Sequence, residues 1–79
     1  MTVHQYGDAL IEITVLSDRE SDGWMAEVWD LTPQTGGELM HYHKPPTGEL
    51  SIDLLGNRVP VDLVMWSIAV VRDELADYR

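Results

Sequence analysis

Apolar residues recur at every second position along most of this chain and then, beyond Pro60, at every third or fourth, so the sequence must build a pleated sheet first and a helix last. Over residues 9–16, Ala9, Ile11, Ile13 and Val15 alternate with Leu10, Glu12, Thr14 and Leu16, which predicts a strand with its odd positions facing a core. Residues 24–31 repeat the pattern, with Trp24, Ala26 and Val28 on one face and Met25, Glu27, Trp29 and Leu31 on the other. Residues 38–44 read as a third strand, Met40 and Tyr42 inward and Leu39, His41 and His43 outward. In residues 49–55, a fourth strand, Leu50, Ile52 and Leu54 oppose Glu49, Ser51 and Asp53.

The intervals carry turn chemistry. Residues 17–23 contain no apolar side chain and end in glycine, residues 32–37 combine Pro33 with Gly36 and Gly37, Pro45 and Pro46 have no N–H to give a ladder, and Gly56 and Asn57 close the fourth strand. Short connections between successive strands predict an antiparallel meander. After it, Pro60 suits the first position of a helix and Asp62 its first turn. Val61, Val64, Met65, Ile68, Val71, Leu75 and Tyr78 then fall within one helical stripe, which is expected to lie on the sheet. The expectation is a single α+β domain over residues 1–79, a four-stranded antiparallel β-meander packed against one C-terminal α-helix, ββββα.

With 79 residues the chain holds one core, and the absence of cysteine removes disulfides and thiolate metal sites as supplements to it. The missing thiols fit a reducing cytoplasm. Neither a basic n-region nor an apolar h-region opens the sequence, and no apolar run approaches the roughly 20 residues of a membrane span, so a soluble cytoplasmic protein without membrane contact is expected. Fourteen acids against five basic residues give a net charge of −9. A surface of that sign repels phosphate backbones and disfavours nucleic acid, whereas it can be steered onto a basic protein. The plainer reading of the charge is solubility.

Four constellations are candidates for chemistry. The far face of the sheet collects Glu12, Thr14, Glu27, Trp29, His41, His43, Glu49, Ser51 and Asp53, either an acidic docking surface with aromatic contacts or an ordinary solvated sheet face. Leu63, Trp66 and Val70 share a helix face nearly opposite the predicted core stripe, so they form an interface anchor unless an N-terminal loop, through Val3 and Tyr6, folds over them. His41 and His43 on one strand face meet the minimum geometry for zinc or iron, although converging ligands are not visible and no metal or other cofactor is expected. Asp18, Glu20, Asp22 and Gly23 imitate the start of a calcium loop, but its twelfth position would be Trp29 where a bidentate glutamate is needed. No nucleophile motif or glycine-rich phosphate loop accompanies any of these, so no enzymatic activity is expected.

In size, acidity and layout the whole chain resembles the broad set of small bacterial and phage inhibitors, toxin-immunity and anti-defence proteins among them, though through no shared motif. The functional expectation is an acidic protein-binding module that occludes a basic partner through Glu12, Glu27, Trp29, His41, His43 and Asp53, or through Leu63, Trp66 and Val70. The alternatives are a homodimer or larger homo-oligomer joined by the outer helix face, and a small metal-binding or ligand-binding protein using the histidines.

Overall fold

A computed structural model describes residues 1–55 and 58–77. Gly56, Asn57 and Tyr78, to which sequence assigns a strand end and part of the helix stripe, lie outside the described residues. Five strands and one helix follow one another: β1 Thr2–Tyr6, β2 Ala9–Asp18, β3 Gly23–Asp30, β4 Gly37–Lys44, β5 Ser51–Leu54 and α1 Val61–Ala76. All neighbouring strands pair antiparallel in the order β1-β2-β3-β4-β5, an α+β meander with one strand more than the sequence pattern reveals.

The additional strand is β1, expected as a loop. Its inward positions, Thr2, His4 and Tyr6, oppose Ile13, Ile11 and Ala9, while Val3 points outward beside Glu12. The alternation is therefore present but inverted in polarity. Hydrogen bonds explain why polar residues serve on the inner side here: Thr2 Oγ1 donates to Glu74 Oε1 of α1 at 2.8 Å and lies 2.8 Å from His4 Nε2.

The core lies between the sheet and α1. Ile11, Ile13, Ala26, Val28, Met40 and Tyr42 come from the three central strands, and Leu63 and Val71 from the helix. For Ile11, Ile13, Ala26, Val28, Met40 and Tyr42 the strand faces are those the alternation predicts, but the helix is turned by nearly one residue, about 100°, so that Leu63, Ser67 and Val71 point inward. Val61 and Met65, expected inside, are 71% and 64% exposed. A helix apolar on almost every side gives its periodicity little power to choose a face, and the choice falls to a polar pair. Ser67 Oγ donates to Val64 O at 2.8 Å and lies 2.6 Å from the buried Tyr42 hydroxyl, with Met40 Sδ within 3.4 Å of both. Rotating Ser67 outward would leave a phenol buried beside sulfur alone, at a cost of about 1–3 kcal/mol.

Close backbone approach also shapes the sheet. A Cβ at Gly23 would collide with the carbonyl oxygen of Lys44, so the start of β3 and the end of β4 meet only because residue 23 is glycine.

Two outcomes follow for this pair. Ser67→Ala should lower unfolding free energy in urea by about 1–3 kcal/mol, since the Tyr42 hydroxyl loses its oxygen partner; a change within error would contradict the role given to it. Burial pushes the Tyr42 phenol above its ordinary value of 10.0, a rise that the Ser67 hydrogen bond partly offsets. An acid whose pKa rises on folding contributes stability that is complete below the unfolded value and lost as pH climbs from there toward the folded one. Stability should therefore fall above about pH 10, and Tyr42→Phe should flatten that limb of the urea-midpoint profile; an unchanged limb would contradict the assignment.

Candidate functional site

Because α1 packs on one side of the sheet, the other side is left without a covering element among the described residues, and the strand register arranges it in rows. Val3, Glu12, Trp29 and Glu38 lie across the strands in one row. Thr14, Glu27, His41 and Asp53 form the next, and Leu16, Met25, His43 and Ser51 the third. The register thus brings together Glu12, Glu27, Trp29, His41, His43 and Asp53, as sequence alternation expects. Glu49 is the exception, since it precedes β5 and lies with Lys44 and Arg72 along a groove at the edge of the sheet.

Side-chain contacts link the rows. Trp29 Nε1 donates to Glu27 Oε1 at 3.3 Å. His41 Nδ1 lies 3.0 Å from Glu38 Oε2, His43 Nε2 lies 3.2 Å from Asp53 Oδ2, and the two imidazoles stack with centroids 4.8 Å apart and planes 30° from parallel. Among the described residues no lysine or arginine shares this face. Arg19 sits in the turn between β2 and β3, Arg58 precedes the helix, and Arg72 is on it. Lys44 turns to the groove side, where Nζ donates to Pro45 O and Gly48 O at 3.0 and 2.7 Å. The carboxylates of Glu12, Glu27, Glu38 and Asp53 are therefore balanced by histidine alone, and by that only when it is protonated.

Glu38 joins the face through an irregularity that simple alternation cannot show. Val28 pairs with Met40, but the next residue, Trp29, pairs with Glu38, so Leu39 is an extra residue in β4 and forms a bulge. Its side chain, expected outward beside His41, packs half-buried against the core instead, and Glu38 takes the outward place. The bulge brings Glu38 and His41, three residues apart, to the same side of a strand.

The helix candidates are not an outer surface. Leu63 is 7% exposed and part of the core, while Trp66 and Val70 are half-buried and packed against that core. Trp66 lies edge-on to His4 at 5.7 Å and tilted against Tyr6 at 5.1 Å. Tyr6 thus covers Trp66, as one sequence reading allowed, although from a strand and without Val3. The calcium-like loop is a self-contained turn. Asp18 accepts from the Ser21 hydroxyl at 2.8 Å and from the Glu20 N–H at 3.1 Å, and these bonds, the hydroxyl foremost, hold its carboxyl below the ordinary value of 3.8.

Sequence reasoning missed the open groove of about 900 Å³ lined by Trp24, Lys44, Glu49, Leu50, Arg72 and Leu75. It arises where the last turns of α1 run beside the loop joining β4 to β5, a juxtaposition that no local pattern encodes.

Removing Leu39 should restore regular pairing, since Glu38 would then precede Met40 directly with the register on either side unchanged. The deletion variant should fold cooperatively with a loss of about 1–2 kcal/mol from the half-buried leucine, and its amide spectrum should change mainly around β4 and β5. Deletion of Thr14 from β2, which pairs without irregularity on both sides, forces the side chains beyond it to the opposite face and should unfold the domain; equal damage from both deletions would contradict the bulge. No protein-family model, curated protein or solved structure matches the chain.

Proposed function

We propose that the chain is a non-enzymatic protein-binding module that lays its uncovered sheet face on a basic surface of another protein and occludes it. The observation that carries this reading is a sheet face that gathers the carboxylates of Glu12, Glu27, Glu38 and Asp53 around one central tryptophan, with no lysine or arginine among the described residues. Solvated antiparallel faces ordinarily gain from placing opposite charges across strands. Here Trp29 lies between Glu12 and Glu38, and His41 between Glu27 and Asp53, so acidic side chains surround the aromatic contacts. A half-buried indole amid carboxylates supplies the apolar anchor that charge alone lacks, while the field of a chain with net charge −9 supplies attraction at long range.

The partner class that fits is a protein with a lysine- and arginine-rich cleft, such as one that holds nucleic acid, and blocking it is an inhibitor or immunity-type role. Binding of this kind is fast and weakens with salt.

The test is a pull-down from the source cell at low and high salt with three forms: the native chain, a triple Glu12→Gln, Glu27→Gln, Asp53→Asn variant, and Met65→Asp on the exposed side of α1. The native chain and Met65→Asp should retain the same protein at low salt, and the triple variant should lose it. Stopped-flow association with that protein should slow roughly tenfold in the triple variant at low salt and converge with the native rate at high salt. A partner retained equally by the triple variant, or an on-rate insensitive to these amides, overturns the reading.

A further inference from the structure

We propose that Glu27, Glu38 and His41 form a site for a divalent first-row transition ion such as zinc on the outer face of the sheet. One ligand atom from each residue lies within 4.8 Å of the other two. Nitrogen and oxygen donors about 2.1 Å from a tetrahedral ion stand about 3.4 Å apart, and His41 Nδ1 and Glu38 Oε2 are already 3.0 Å from each other. An ion would enter between these two atoms with the imidazole neutral and its one proton on Nε2, any further proton leaving to solvent, and with the Glu27 carboxylate closing on it by a side-chain rotation.

Three features make this more than neighbouring charge. The donors form one imidazole and two carboxylates, a set that suits zinc and its neighbours, whereas calcium and magnesium prefer oxygen alone. With a neutral imidazole the set carries −2, equal and opposite to a divalent ion, and among the described residues no lysine or arginine on the face competes for those carboxylates. The surroundings also orient the ligands: Trp29 Nε1 donates to Glu27 Oε1 at 3.3 Å, and the His43 ring, held by Asp53 at 3.2 Å, stacks on His41. The bulge at Leu39 delivers Glu38 to the site, so the ligand set differs from the His41 and His43 pair that the sequence spacing presents. Three protein ligands leave a fourth position open to water or to a donor from outside.

This site does not depend on the partner reading, and its test uses the full chain alone. Chelator-stripped protein is titrated calorimetrically with zinc chloride at neutral pH and with cobalt chloride, whose visible d–d band reports a nitrogen and oxygen ligand field. One equivalent should bind and raise the melting temperature, and magnesium should do neither. Glu38→Gln and His41→Asn should each weaken zinc about tenfold or more, while His4→Asn, on the opposite face, should leave affinity unchanged. Circular dichroism and melting of the metal-free variants show whether each is folded, and Glu27→Gln supplies a further ligand variant should either of the others unfold. Absence of zinc heat and of a cobalt band overturns the proposal. So does zinc binding that survives Glu38→Gln and disappears in His43→Asn, which would place the ion on the histidine pair.

Discussion

One helix cannot cover two sides of a sheet, and most of what distinguishes this protein follows from that geometric constraint. The five strands form a layer whose inner side, Ile11, Ile13, Ala26, Val28, Met40 and Tyr42, is dried by α1. Their outer side has no second layer among the described residues and must be compatible with water. On this side the chain sets glutamate, aspartate and histidine beside Thr14, Trp29 and the apolar Val3, Leu16 and Met25, with no lysine or arginine among the described residues. A structural demand for polarity is thereby met on this side with carboxylates that no lysine or arginine among the described residues offsets there.

The helix is placed by contacts of two kinds. Leu63 and Val71 bring it onto the sheet through apolar burial, and the bond between Ser67 and Tyr42 selects which of its faces goes inward. Along the edge, Thr2, His4 and Glu74 tie β1 to the helix while Trp66 rests on His4 and Tyr6. This arrangement absorbs the helix residues that otherwise resemble an interface, and it concentrates the functional argument on the sheet.

Much of this was legible in the residues, for reasons that also explain the failures. Strands β2 to β5 announce themselves because their apolar side chains alternate, and Glu12, Glu27, Trp29, His41, His43 and Asp53 share a face as a direct consequence. Strand β1 was hidden because its inward residues are Thr2, His4 and Tyr6, whose partners come from β2 and the helix. The helix face was misread because Leu63 to Trp66 and Ile68 to Val71 are apolar on every side. The residue that decides the matter, Ser67, is polar and answers to a tyrosine far away in sequence. Glu38 escaped notice for a third reason: a bulge changes the parity of a strand, and pairing along β3 determines where it falls.

The account depends most directly on the outer side being open in solution. Nuclear magnetic resonance of the free protein with a neutral, soluble gadolinium chelate measures this residue by residue. The Trp29 indole N–H and the ring protons of His41 and His43 should relax strongly, while Tyr42, Ser67 and Val71 should remain shielded. Equal shielding of Trp29 and Tyr42 would show that something covers the outer face, and would contradict the account.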